Sequence, residues 1–149
     1  MKFDINRKSE DLAYLAGYID ADGHIGLYWS KNNNYYGLEL VITASRIDIL
    51  EELQAIVGFR GYIVTVKGSK TSKRNYSRLK YTDRKASKVC EMVQPYLRLK
   101  GAQAVLCVQM GLHRRKHPNG RGFDSKAYYV PRYEEMKRLN EGNKSDLIR

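Results

Sequence analysis

Residues 15 to 23 read Leu-Ala-Gly-Tyr-Ile-Asp-Ala-Asp-Gly, and the side chains in this stretch able to do chemistry are Asp20 and Asp22. They fall at the end of an amphipathic helix, where Gly23 supplies the permissive C-terminal position. Carboxylates are disfavoured at that end of the helix dipole. A cation held there offsets the repulsion, which makes the site a candidate for a divalent metal. The same helix carries Ala13, Gly17 and Ala21, one every fourth position and therefore along one face. A small-residue stripe lets a second helix backbone approach closely. An ordinary amphipathic helix with a polar end accounts for Leu12, Leu15 and Ile19, but not for paired aspartates beside such a face. The expectation is a metal at the mouth of a close-packed helix pair.

The elements that must position these residues follow in order. Ser9 reads as the cap of the first helix, with Glu10 and Asp11 in its first turn and an end at about Asp20. Ile25, Leu27 and Trp29 then alternate with His24, Gly26, Tyr28 and Ser30, which is the pattern of a half-buried strand. After the turn residues Lys31 to Asn34, Leu38, Leu40 and Ile42 alternate with Glu39, Val41 and Thr43, giving an antiparallel hairpin. Ser45 and Asp48 approach a capping box for a second helix that Gly58 ends. A second hairpin spans roughly Tyr62–Lys67 and Tyr76–Tyr81, followed by a helix over about Arg84–Gln94 that Pro95 stops. A fourth helix covers about Lys100–His113, and Pro131 is placed to open a last short helix. The order is α-β-β-α-β-β-α with further C-terminal helices. That predicts an α+β domain, a four-stranded antiparallel sheet with helices on one face.

Bulk composition narrows the partners. At 149 residues the chain fits one domain, with a C-terminal helical extension over about 114–149. A net charge of +11 and a pI near 9.7 put nucleic acid first among partners. No stretch approaches the ~20 apolar residues of a membrane span, and the N-terminus lacks a signal-peptide run. Cys90 and Cys107 show no C-x-x-C spacing and read as reduced packing residues of an intracellular protein, its compartment unspecified. His113 and His117 share a helix spacing, but no further ligand pattern accompanies them.

The sheet face away from the helices is the expected DNA-binding surface. The alternation assigns to it Tyr28, Ser30, Asn32, Asn34, Tyr35, Glu39, Val41 and Thr43 from the first hairpin, with Tyr76, Arg78 and Lys80 from the second. This mixture suits reading donors and acceptors on base edges, which a uniformly basic face does not. Lys67, Lys70 and Lys73 belong to a basic run in and around the second hairpin that reads as a solvated surface or, beside a site for phosphodiester chemistry, as phosphate contacts. A strand of about nine residues spans on the order of 30 Å at ~3.3 Å per residue, matching roughly nine base pairs of major groove.

Over residues 15–23 the chain resembles the LAGLIDADG homing endonucleases, named for this motif, with Tyr18 at the family's variable apolar position. The resemblance implies a homodimer that cuts both strands of a long pseudo-palindromic double-stranded DNA site, as the product of a mobile element such as an intron. It implies Mg²⁺ (or Mn²⁺) as cofactor, and no membrane. Asp22 matches the family's catalytic metal ligand and the Ala21 carbonyl its backbone partner. Asp20, the earlier acid of the motif, is expected to orient the helix end more than to bind metal. Ala13, Gly17 and Ala21 become the dimer contact. The segment Pro95–Lys100 resembles the family's region bearing a catalytic lysine, so Lys100 is the candidate, with Arg98 behind it. The family often places a water-orienting glutamine after the second strand; this chain has Ala44 there, with Ser45 available as a cap and Arg46 as a phosphate contact. The alternative is a protein of the same fold that binds nucleic acid without cutting, an RNA maturase or a transcriptional regulator.

Overall fold

The computed structural model describes residues 5–32, 35–68, 75–117 and 125–147. The first helix, α1 (Ile5–Asp22), is longer at both ends than expected, so Ser9 lies inside it and Asp22 is its last residue. Ile5 to Lys8 contain neither proline nor glycine, and a serine caps only where the chain ahead of it leaves the helix. Two antiparallel hairpins follow, β1 (Gly23–Ser30) with β2 (Tyr35–Ala44), and β3 (Tyr62–Val66) with β4 (Tyr76–Thr82). Between them lies α2 (Ile47–Val57), and after them come α3 (Asp83–Val93), a 3-10 turn at Gln94–Tyr96, α4 (Gly101–Lys116) and α5 (Ser125–Leu147). The four strands form one sheet in the order β1-β2-β4-β3.

Alternation dictates which sheet face is covered. Ile25, Leu38, Leu40, Ile42, Leu79 and Tyr81 are buried, joined by Leu15 and Ile19 of α1, Leu50 and Leu53 of α2, Val89 and Val93 of α3, and Met110 of α4. Burial pushes the Tyr81 phenol up to about 12, and its hydroxyl donates to the Phe59 carbonyl at 3.0 Å. Cys90 and Cys107 are both free and buried; the hydrogen bond between them, then burial, holds the Cys90 thiol well above its ordinary value, so it stays a packing group.

Three further expectations are corrected. The Ser45–Asp48 capping box does not form: Arg46 occupies the cap position without a side-chain cap bond, and its guanidinium pairs with Asp48 instead. Arg46 therefore meets its own helix's first-turn acid, which in the free chain competes with a phosphate. The fourth helix continues three residues past His113 to Lys116, which brings Arg114 within helical reach of the sheet.

Pro131 does not open a short helix; it sits inside the 23-residue α5. Proline in a helix interior costs about 3 kcal/mol. Burial of Tyr129 and Met136 in the same core, at roughly 1.5–3 kcal/mol each, offsets that cost. The Asn140 amide also donates to the carbonyl of Ile25 on the outer edge of β1.

Two turns show why particular residues stand where they do. Gly58 ends α2 at φ 90°, the left-handed conformation that glycine adopts without strain. Asp83 takes φ 52° at the corner between β4 and α3, a strained value for a side chain with Cβ. Its carboxylate accepts from the Leu38 amide at 3.1 Å just where β4 runs out at Thr82, and from Arg114 of α4. The α3–α4 contact is close because Gly111 faces Ser87, whose Cβ and Oγ a side chain at 111 would meet. Gly111→Ala is expected to lower the unfolding free energy by about 1–3 kcal/mol through overpacking, read from urea denaturation.

Candidate active site and nucleic-acid face

At the C-terminus of α1 the two aspartates of the motif have different surroundings. The Asp20 carboxylate accepts three backbone N–H bonds, from Arg98 at 2.8 Å, Leu99 at 3.1 Å and Lys100 at 3.0 Å. These donors form the turn that opens α4, so a negative charge sits at the positive end of that helix. In return the Lys100 ammonium donates to the Asp20 carbonyl at 2.6 Å, placing a cation at the negative end of α1. Each helix end is completed by a charge from the other. Asp22, one residue past Ala21, is exposed.

Lys100 is partly buried, and burial lowers its pKa from the ordinary value against the opposing pull of Asp20 and Asp22. The ammonium therefore lies in the field of the exposed carboxylate. Tyr18 lies in the same field: burial, then the Asp22 charge, raises its phenol. Ala21 belongs to the last turn of α1, whose carbonyls have no intrahelical N–H ahead of them. One carboxylate oxygen pair, one carbonyl and a neighbouring ammonium thus meet at one helix end. Arg98 contributes its backbone N–H here, and its side chain is exposed. Among the described residues no group of three or more His, Cys, Asp and Glu side chains is placed to hold a metal. A hard cation that keeps several waters needs only one or two carboxylates, so Asp22 with the Ala21 carbonyl fits such an ion and does not fit a tetrahedral zinc centre.

Ala13, Gly17 and Ala21 are all exposed along α1, and nothing lies within 4 Å of where a Cβ on Gly17 would stand. Tyr14 flanks the stripe at 47% exposure.

The sheet face opposite the helices is concave. Strand register sets His24, Val41, Lys80 and Tyr62 in one row across the four strands, with Thr43, Arg78 and Val64 in the next. Glu39 is held by Lys80 at 3.3 Å and by His24 at 3.6 Å; hydrogen bonding to His24 leads the causes that lower its carboxyl pKa. The Tyr28 ring lies directly over Gly37, where a Cβ would strike it, and the Lys80 ammonium sits 5.5 Å from that ring. Arg78 lies over the Tyr76 ring at 5.3 Å and donates to its hydroxyl at 3.3 Å. Ser30 closes β1 opposite Tyr35, and Asn32 is exposed in the turn that follows. Lys67 is exposed just beyond β3, where the Asn75 side chain accepts from the Gly68 amide at 2.8 Å.

Tyr35 departs from the expected pattern. Its hydroxyl accepts from Arg114 at 2.7 Å at the rim of the sheet, and burial, then hydrogen bonding to the Asp83 carboxylate, raises its pKa. The longer α4 is the reason, since Arg114 lies beyond the end expected for that helix. Asn34, Lys70 and Lys73 lie outside the described residues. His24, which the alternation sets on the face of Tyr28, was left out of the expected contacts, and Tyr62, Val64 and Val66 were missed. The signal for these three was the register with β4: residues that pair with Lys80, Arg78 and Tyr76 must share their face.

Among the described residues no helix is long and apolar enough to cross a membrane. A comparison with curated proteins found no match. Among solved structures, the homing endonuclease I-CvuI in complex with its target in the presence of calcium is 23% identical at a TM-score of 0.69, covering 90% of this chain and 84% of that one. The archaeal intron-encoded homing endonuclease I-Vdi141I, complexed with DNA, is 15% identical at a TM-score of 0.65, covering 89% of this chain and 85% of that one. The LAGLIDADG homing endonuclease I-GzeII with its DNA target is 17% identical at 0.62, covering 82% of this chain and 42% of that one. At such identities the likeness is one of fold, and it agrees with the expected α+β arrangement. The family model described as LAGLIDADG endonuclease matches residues 15–103, which include the motif at the end of α1, both hairpins and the turn bearing Lys100. The chain belongs to the LAGLIDADG endonuclease family.

Proposed function

We propose that the protein is a homodimeric, divalent-metal-dependent endonuclease that cuts both strands of a long double-stranded DNA site. The observation that carries the reading is the division of labour at the end of α1. Asp20 is committed to the α4 turn, Lys100 is fastened beside it, and Asp22 is left exposed. Asp22 and the Ala21 carbonyl are the residues that would hold Mg²⁺ or Mn²⁺. The chemistry a divalent cation supplies there is neutralisation of phosphate charge, activation of a water and stabilisation of the leaving 3′-oxygen. Lys100 adds a fixed positive charge near the scissile phosphate, and its anchoring to α1 ties its position to that of Asp22. Two chains paired through the small faces of α1 would aim one Asp22 at each DNA strand. Each open sheet face would follow one half-site, with Tyr28, Ser30, Asn32, Glu39, Arg78 and Lys80 toward base edges and Lys67 toward phosphate. The structural neighbours are described in complex with DNA, which supports DNA as the partner.

The test is to incubate the purified protein with a randomised duplex library and Mg²⁺, with a chelator control, and to sequence the new ends. A defined site cut on both strands only with metal is the expected result. Retention of one sequence class without new ends would establish binding alone. Within a cutting enzyme, Lys100→Met is expected to lower the single-turnover cleavage rate about a hundredfold or more, the scale of losing one positioned proton or charge partner. Duplex affinity by gel shift should stay within about threefold. An unchanged cleavage rate would remove Lys100 from the chemistry.

A further inference from the structure

The open face is less polar than its sequence pattern suggests. Val41 of β2 and Val64 and Val66 of the edge strand β3 line a concavity of about 470 Å³ that spans the face, with Tyr62 beside them and Arg78 and Lys80 of β4 between. Val64 is 37% and Tyr62 69% exposed. Apolar groups gathered on one exposed face mark an interaction surface. The cations among them, on a chain of net charge +11, point to a polyanion rather than an apolar protein surface. We infer that this valine cluster selects thymine, by packing against the C5-methyl groups on the major-groove edges of A·T pairs. The inference rests on the reading of the protein as a duplex-DNA endonuclease.

Three features carry it. The thymine methyl is the apolar group that base pairs present in the major groove, so a floor of valines favours T over C, A and G. The carboxylate beside the cluster is already engaged: Lys80 and His24 hold Glu39, which competes with its accepting from cytosine N4. Spacing also fits. Val64 and Val66 stand two residues apart on one strand, about 6.6 Å at ~3.3 Å per residue, close to the ~6.8 Å rise of two base steps. Arg78 lies directly across from Val64, so a guanine beside the selected thymine is the expected companion.

The experiment starts from the duplex selected out of a randomised library and replaces thymines with uracils one at a time, which removes the methyl and nothing else. At the positions under the valines each replacement should weaken binding about three- to fourfold, the value of one buried methyl. Uracil elsewhere in the site should have no effect. Val64→Ala, a change on an exposed strand face, should lose the distinction between thymine and uracil at its own position and keep it under the other valines. Uracil tolerated throughout the site, or a thymine preference unchanged in Val64→Ala, would overturn this inference alone. Selection of no duplex at all would remove the endonuclease reading and this inference with it.

Discussion

Asp22→Asn is expected to reduce strand cleavage at least about a thousandfold while leaving duplex affinity within about threefold. The amide keeps the size and shape of the carboxylate and loses the charge that would hold a divalent cation. Losing about 4 kcal/mol of transition-state stabilisation corresponds to that factor. Folding should be unharmed, because Asp22 is exposed and its charge stands at the unfavourable end of α1; its removal is worth a gain of about 0.3–1 kcal/mol. Asp20→Asn provides the contrast. Asp20 accepts three backbone N–H bonds through two oxygens, and an amide offers only one acceptor oxygen to the same donors. That variant should lose about 1.5–3 kcal/mol of stability and displace Lys100, so cleavage and the denaturant midpoint fall together. Single-turnover cleavage, gel shift and urea denaturation on both variants separate the roles. An Asp22→Asn protein that nicks DNA near the unsubstituted rate would take Asp22 out of the mechanism.

How much of this was legible in the sequence depends on the range of the interaction that fixes each feature. The β1–β2 hairpin was readable because alternation over Ile25–Leu27 and Leu38–Ile42 is a local signature of one covered face, although Trp29, near the end of β1, is 39% exposed. The end of α1 was readable for the same reason, as a motif of contiguous residues. The partner of Asp20 was not, since its donors lie 78 to 80 residues away and nothing local in Arg98-Leu-Lys100 names an acceptor. Pro131 misled because proline is a local helix signal, whereas the aromatic contacts of Tyr36 with Tyr129 and Tyr133 that hold α5 come from another element. β3 alternates poorly as a sequence, and only its pairing with β4 assigns Tyr62, Val64 and Val66 to the open face. Arg46 was expected at a phosphate, and the nearest anion in the chain is its own neighbour Asp48.

Gly17→Leu is expected to abolish dimer formation and double-strand cleavage without unfolding the chain. Helices pair most closely where no side chain keeps their backbones apart, and Gly17 stands midway along the exposed stripe between Ala13 and Ala21. Nothing within the chain lies within 4 Å of the position a Cβ would take there, so leucine meets no clash inside its own protomer. Replacing glycine by leucine inside a helix should also stabilise α1 by up to about 1 kcal/mol. The predicted signature is therefore divergent: an unchanged circular dichroism spectrum, loss of the dimer in sedimentation velocity, and loss of cutting on both strands. Gly17→Ala, which adds a single methyl, should weaken association and retain it. Because only a dimer's stability depends on protein concentration, the melting temperature should rise with concentration for the unsubstituted protein and stay constant for Gly17→Leu. If the unsubstituted protein sediments as a monomer both free and on its duplex, or if Gly17→Leu dimerises normally, the paired-helix arrangement is wrong. The two Asp22 carboxylates would then have to reach the DNA strands by another route.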